Sequence, residues 1–132
     1  MTTYFSFAMS DTMFSACGES RTLVRQAISA AKAAEIVAKG VVSCVNPSHR
    51  PTITAAWQRF GIALEVPERA PQVSLRPGDE LVVMQVNGLP RLGADRHEYT
   101  EAEIASAVFT FARWMVYSDE EEERLAIMYY HS

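Results

Sequence analysis

The sequence predicts one α/β domain, with a mixed sheet of about five strands flanked by helices. Its 132 residues suit a single core rather than two. Apolar residues make up 48% of the chain, too many for a disordered segment. Short β-branched or aromatic runs alternate with segments of helical periodicity, and no repeat or linker interrupts them. These three observations favour a single domain over residues 1–132.

The first third of the chain predicts a strand, a long helix and a second strand. Residues 3–9 are rich in aromatic side chains and predict a strand. From residues 18–20 onward, apolar positions recur at helical spacing as far as Gly40, which suits a C-terminal cap. These positions are Leu23, Val24, Ala27, Ile28, Ala31, Ala34 and Ala38. The β-branched run at residues 41–45 predicts the second strand.

A second helix is predicted from about Pro51 to Gly61. Proline is tolerated in a first helical turn, where its missing N–H would be unpaired anyway, and glycine ends helices. The apolar stripe of this helix is predicted to face the core. It consists of Ile53, Ala56, Trp57 and Phe60.

Further strands are predicted at residues 62–66, 72–75 and 81–86. Arg76-Pro77-Gly78-Asp79 has proline and glycine where a type II turn requires them. We therefore expect an antiparallel pair around Pro77-Gly78. Because the run at residues 81–86 is almost entirely apolar, we expect it in the middle of the sheet, buried on both faces.

The remaining residues predict a short helix, a strand and a last helix. Residues 100–103, Thr-Glu-Ala-Glu, form a capping-box pattern. Residues 109–117 predict a strand with an alternating pattern. Its two faces are Phe109, Phe111, Met115 and Tyr117 on one side, and Trp114 and Val116 on the other. A final helix is predicted in residues 118–132, where the acidic run is typical of a solvated first turn.

Charge and cysteine content exclude several function classes. The net charge of -4 argues against a general binder of duplex DNA, because phosphate neutralisation requires a basic face. Cys17 and Cys44 form no C-x-x-C pair and no zinc set with the histidines, which favours buried or idle thiols in a reducing compartment. With no signal-peptide pattern and no run of about 20 apolar residues, we expect a cytoplasmic protein without a membrane segment.

One histidine is a candidate for chemistry. No Walker-type, dinucleotide-binding, zinc-protease or nucleophile-elbow motif is present, so an enzyme here would act by positioning, without metal or cofactor. His49 lies in a polar loop before the second predicted helix, whose first N–H groups attract phosphate. Histidine titrates near neutral pH and could protonate the leaving oxygen of a phosphodiester. The alternative is that His49 is a surface residue without a task.

Three stretches, in order, resemble the small viral ring nucleases and their bacterial relatives. These are anti-CRISPR proteins that degrade cyclic tetra-adenylate. Phe7-Ala8-Met9-Ser10 resembles the end of the family's first strand, where the pattern is Asn-Ala-Phe-Ser. His49-Arg50-Pro51-Thr52 resembles the family's His-x-Ser/Ala-Thr at a helix start. The third stretch is the Gly78-Asp79 turn, followed by the apolar strand and Arg91-Leu92.

The resemblance implies a homodimer that binds a cyclic oligonucleotide across its twofold axis and cleaves it without metal. A ribose 2′-hydroxyl attacks the adjacent phosphorus, and the products carry 2′,3′-cyclic phosphate ends. His49 matches the family's general acid, Ser10 a serine near the scissile phosphate, and Arg91 a phosphate-binding arginine. Further ligand contacts are expected from Phe7, Ala8, Ser48, Arg50, Thr52 and Asp95.

The chain departs from the family pattern at three positions. Phe7 replaces an asparagine and is either a base-stacking residue or part of the core. Asn46-Pro47-Ser48 replaces a glycine, and Ala94 replaces a glutamate, with Asp95 one residue later. Three hypotheses therefore stand: a ring nuclease that antagonises nucleotide-signalled antiviral defence, a non-catalytic cyclic-nucleotide sponge of the same fold, and a dimeric DNA-binding regulator, which the acidic charge disfavours.

Overall fold

The computed structural model describes residues 2–10, 12–14, 22–89 and 99–117. These residues form five strands and three helices, which confirms the predicted α/β class. In chain order they are β1 (Thr3–Ser6), β2 (Thr22–Ile28), α1 (Ala30–Ala38), β3 (Val42–Ser43), α2 (Arg50–Phe60), β4 (Glu80–Asn87), α3 (Glu101–Ala105) and β5 (Val108–Tyr117).

The strands form one mixed sheet in the order β2-β5-β4-β1-β3. β1 pairs in parallel with both β3 and β4, and β5 pairs antiparallel with both β4 and β2. β4 is the middle strand, and its residues 81–84 are all buried, as the apolar run predicted. β1 and β3 are found where they were expected but are shorter than the predicted runs.

The predicted long helix is wrong over its first half. Residues 22–28 form β2, an edge strand that pairs with β5 from Thr22 opposite Tyr117 to Ile28 opposite Phe111. α1 begins only at Ala30, where the Ser29 side chain accepts the N–H of Lys32 at 3.1 Å and caps the helix. The helical spacing of apolar residues was present, but hydrogen bonding to a strand distant in sequence determines the conformation.

The predicted strands at residues 62–66 and 72–75 are also wrong, and with them the antiparallel pair around Pro77-Gly78. Both segments lack strand pairing in the structure. The turn itself forms: the Asp79 N–H donates to the Arg76 carbonyl at 2.9 Å, and Gly78 has φ +94°. The antiparallel partner of β4 is β5 instead. Apolar residues of the second segment pack against a face of the sheet rather than pairing at an edge.

Each face of the sheet carries its own core. The helix-side core includes Phe5, Ala33, Ile36, Val37, Val45, Ala56, Ile62, Val82, Met84 and Phe111. The core on the opposite face, against which none of α1, α2 and α3 packs and which is called the helix-free face below, includes Phe14, Cys44, Val73, Leu75, Leu81, Val83 and Val116. Alternate residues of β4 enter the two cores, as side-chain alternation along a strand requires.

α2 confirms the second predicted helix, with one error in its apolar stripe. Ala56 is fully buried, and Ile53 and Phe60 pack against the helix-side core, but Trp57 is 60% exposed. Successive residues of a helix are about 100° apart around its axis. Because Ala56 faces the core, the next residue, Trp57, points toward solvent. Gly61 ends the helix with φ +69°.

The predicted short helix and final strand are confirmed as α3 and β5. Thr100 and Glu103 form the complete capping box: the Thr100 hydroxyl accepts from the Glu103 N–H, and the Glu103 carboxylate accepts from the Thr100 N–H. Along β5, Phe111 belongs to the helix-side core and Val116 to the other. The helix predicted in residues 118–132 lies outside the described residues. Within the described residues, no helix has the length and apolar character needed to cross a bilayer.

Candidate functional site

Two of the stretches singled out by sequence meet at one end of the sheet. Residues 7–10 follow the carboxyl end of β1, and residues 46–49 connect β3 to the start of α2. The Phe7 and His49 rings lie 6.5 Å apart between centroids, with their planes tilted by 38°. Because β1 and β3 are parallel, their carboxyl ends share an edge, which is the usual position of ligand sites in open α/β sheets.

His49 is the residue that begins α2. It is the N-cap, with φ -87° and ψ 48°, and its carbonyl accepts the N–H of Ile53 at 3.0 Å. The imidazole makes no capping hydrogen bond. Within the described residues its contact is with the Phe7 ring, and the ring nitrogens bond to no protein group there. His49 is half-buried.

The loop before His49 is fixed by Asn46. The Asn46 carbonyl accepts the His49 N–H at 3.0 Å, and its side-chain oxygen accepts the Ser48 N–H at 2.9 Å. An asparagine that bonds two residues ahead is a common turn former. Asn46 is one of the residues that depart from the family pattern, and it gives the loop a defined conformation.

The first turn of α2 carries positive character. Arg50 is the first helical residue and is exposed, and the first turn contains no acidic side chain that would offset the helix dipole. Thr52 lies on the opposite side of the turn and is only 9% exposed. Ser48 and Arg50 thus face solvent beside His49, whereas Thr52 faces the interior.

The segment after β1 turns toward the same edge. The Ser6 hydroxyl accepts the Ala8 N–H at 3.3 Å, which bends the chain. Phe7 packs edge-on against Phe5, 6.0 Å away between centroids, and contributes to the helix-side core. The Ser10 hydroxyl lies 3.0 Å from that of Thr12, and the Ser10 carbonyl accepts the N–H of Met13.

Phe7 and Ala8 also line a cleft of about 270 Å³ on the helix-free face of the sheet. The other lining residues come mainly from β2, β4 and β5. They are Met9, Arg25, Val83, Gln85, Thr110, Ala112 and Trp114. Phe7 therefore joins the His49 loop to this cleft, since it contacts the imidazole and forms part of the cleft wall.

Sequence reasoning missed the sheet residues of this cleft, Arg25 and Trp114 among them. Arg25 lies in the segment predicted as a helix, and Trp114 was assigned only to a strand face. Their association depends on the register of β2 against β5, in which Arg25 and Trp114 are directly opposite each other. No local signal in the sequence encodes this pairing.

A second groove, of about 390 Å³, lies between α2 and α3. It is lined by Pro51, Thr54, Ala55, Gln58, Arg59, Glu101, Ile104 and Ala105. None of the site residues predicted from sequence that the structure describes belongs to this lining. The Arg59 guanidinium is engaged elsewhere, over the Phe109 ring at 4.7 Å and the Phe60 ring at 5.5 Å. The cleft beside Phe7 is therefore the better candidate.

Several other predicted groups bear on the chemistry. Arg91 and Asp95 lie outside the described residues, as does Cys17. Cys44 is buried in the helix-free core, and burial raises the pKa of its thiol, so it is a packing residue rather than a nucleophile. In the described ranges, no three His, Cys, Asp or Glu side chains come together as a metal site would require.

Comparison with known proteins adds a structural neighbour. No protein-family profile matches the chain, and no curated protein matches it significantly. Among solved structures, the chain is similar to B116 of Sulfolobus turreted icosahedral virus, with a TM-score of 0.60 and 14% sequence identity. The match covers 87% of this chain and 99% of B116. The chain shares its fold with a viral protein.

The similarity covers most of both chains. At 14% identity, the match concerns the fold, and the roles of individual side chains rest on their geometry here.

Proposed function

We propose that this protein binds a cyclic oligonucleotide messenger of the cyclic tetra-adenylate type and cleaves it without metal, and so antagonises an antiviral defence in the cytoplasm of the host cell. The observation that carries the proposal is the position of His49: it starts α2, its imidazole is not used for capping, and it contacts Phe7 from the segment that carries Ser10. The viral origin of the structural neighbour is consistent with this role.

The proposed reaction is an in-line transfer at phosphorus. A ribose 2′-hydroxyl attacks the adjacent phosphate and loses its proton to solvent, the bond to the 5′ oxygen breaks, and His49 gives a proton to that oxygen. The phosphate rests against the first turn of α2, where free N–H groups and Arg50 favour negative charge. Ser10 and Arg91 are assigned to the same phosphate, and Ser48 and Asp95 to the surrounding ligand contacts, whereas Thr52 faces the interior and is not assigned a contact.

The proposed complex is a homodimer that holds the ring across its two copies. The cleft of about 270 Å³ is close to the lower end of the roughly 300–1,000 Å³ of small-ligand pockets, and it is assigned to one nucleotide of the ring. The ring then contacts two copies of the chain, each with its own His49. In this arrangement Phe7 and Ala8 contact the nucleotide nearest the scissile phosphate.

The proposal predicts that His49→Ala abolishes cleavage but leaves binding largely intact. A positioned general acid contributes about 10²- to 10⁴-fold to rate, whereas the helix N-terminus and Arg50 that hold the phosphate remain. The experiment incubates purified protein with cyclic di-, tri-, tetra- and hexanucleotides in EDTA, followed by chromatography and mass measurement of the products. Trp57→Phe, an exposed change on the same helix, is the matched control.

The same experiment separates the alternatives. Intact ligand released by heat, with no linear product, identifies a sponge, and Arg50→Ala should then weaken binding while Arg76→Ala does not. Affinity for duplex DNA that falls steeply with salt would identify a DNA-binding regulator. If His49→Ala cleaves at the wild-type rate, the histidine is not the general acid and the proposed mechanism is wrong.

A further inference from the structure

Among the described residues, those that pack on the helix-free face cover only part of its area. Residues 12–14 and 72–75 pack over one end, where Phe14 and Leu75 cover Leu81 and Val116. Toward the carboxyl end of β4, none of the described residues covers the face, and the cleft opens there. Its floor is formed by Val83, Gln85, Thr110 and Ala112. A concave surface that combines apolar side chains with a few polar ones is typical of ligand sites, which makes this part of the face a candidate for a ligand.

One wall of the cleft is formed by an arginine and a tryptophan side by side. Arg25 of β2 and Trp114 of β5 are opposite each other in the antiparallel register, and both line the cleft. Trp114 is held in place by Phe14, whose ring centroid is 6.4 Å from its own. Arg25 is exposed, and among the described residues no carboxylate pairs with it.

The other arginine in the described strands, Arg113, has protein partners. Arg113 lies on the helix-side face, where its Nη2 donates to Gln26 at 2.6 Å and its Nε lies 3.8 Å from a Glu80 carboxylate oxygen. The sheet thus supplies partners for the arginine on its covered face and none for the arginine in the cleft. A guanidinium that lines a cleft and has no carboxylate partner among the described residues is suited to a phosphate, which it binds through its planar fork of donors.

We propose that Arg25 and Trp114 form a nucleotide subsite, in which Trp114 stacks on an aromatic base and Arg25 binds the phosphate attached to it. The inference rests on the proposed function and extends it, because it assigns a second nucleotide of the ligand to this wall of the cleft. Phe7 connects the two subsites, since it contacts His49 and lines the same cleft. Aromatic stacking is tolerant of base identity, so Arg25 and Trp114 supply affinity and orientation.

Trp114 provides a direct readout that does not depend on cleavage. The described residues contain two tryptophans, Trp57 and Trp114, and Trp57 is exposed on α2. In a Trp57→Phe variant, the fluorescence of Trp114 reports on the cleft. We expect AMP to quench it and to bind more tightly than adenosine, because only AMP carries the phosphate that Arg25 would bind.

Arg25→Gln should remove the preference for AMP over adenosine. It should also raise the KM for cyclic tetra-adenylate roughly 5- to 100-fold, with kcat changed far less, because His49 is untouched. Arg76→Gln is the matched control: it removes the same charge from an exposed turn at the opposite end of β4. Melting temperature checks that each variant is folded, and Trp114→Phe, which keeps an aromatic ring, should weaken binding less than Trp114→Leu.

The outcomes distinguish this inference from the proposed function. If cyclic tetra-adenylate is cleaved but Trp114 fluorescence is unchanged and Arg25→Gln has the wild-type KM, the subsite is wrong and the nuclease stands. If AMP quenches Trp114 in an Arg25-dependent way but no cyclic nucleotide is cleaved, the subsite stands and the nuclease is wrong. If Arg25→Gln alters only the oligomeric state in sedimentation, the face is a contact between copies and the subsite is wrong.

Discussion

Gly61 holds the C-terminal end of α2 in a conformation that other residues adopt at a cost. Its φ is +69° and its ψ 22°, and the next N–H, from Ile62, donates to the Ala56 carbonyl. This left-handed turn directs Ile62, which is 1% exposed, into the helix-side core. The position of α2, and with it that of His49 at the other end, depends on this turn.

We predict that Gly61→Ala lowers the free energy of unfolding by roughly 1–2 kcal/mol, the cost of a left-handed conformation for a residue with a Cβ. No atom lies within 4 Å of an added Cβ, so the loss reflects backbone strain alone. Urea unfolding measures it. Gly61→Asn should lose less, because asparagine tolerates this conformation; equal stability of the Ala variant and wild type would contradict the prediction.

Among the helices and strands, those with strong local signals could be predicted from the sequence. Pro51 and Gly61 bound α2, Thr100 and Glu103 identify α3, and the uninterrupted apolar run identifies β4 as the central strand. β2 was not predictable, because its apolar residues fit helical spacing and only pairing with β5 reveals it as a strand. Ser29, which caps α1, was the local signal for the true helix start.

The candidate site likewise has one part that could be predicted from sequence and one part that could not. The His49 loop was found from a local pattern, a polar turn followed by a helix start. The Arg25 and Trp114 wall was not, because 88 intervening residues separate its two members and their association follows from strand register. Local periodicity carries no information about contacts that depend on long-range strand pairing. Only the part of the site formed by residues close together in sequence could therefore be predicted.

α3 has only five residues and depends on its cap. The Thr100 hydroxyl and the Glu103 carboxylate each accept the other's N–H, and Ile104, 2% exposed, anchors the helix. We predict that Thr100→Ala costs about 1 kcal/mol, with hydrogen exchange increased in residues 101–105. Thr100→Ser keeps the hydroxyl and should restore protection; if both variants exchange alike, the cap does not stabilise α3.

On the scale of the whole molecule, a 3-10 turn at residues 12–14 and the irregular segment 72–75 cover part of the helix-free face. Residues 72–75, predicted as a strand, pack across this face without pairing. Leu75 is fully buried, and its N–H donates to the Met13 carbonyl at 2.7 Å. The segment therefore links residues 12–14 to the sheet.

Leu75→Ala tests whether this covering layer is part of the cooperative core. Removing a fully buried leucine side chain costs about 2–5 kcal/mol, depending on how far the surroundings collapse. We expect a loss in this range from urea unfolding, with a single transition, because Leu75 packs against the same strand that crosses the helix-side core. Ser74→Ala, at the exposed neighbouring position, should change stability by no more than about 0.5 kcal/mol. A loss confined to local hydrogen exchange in residues 72–75, with global stability unchanged, would show that the layer is an independent flap. A full loss would mean that both faces of the sheet fold as one cooperative unit.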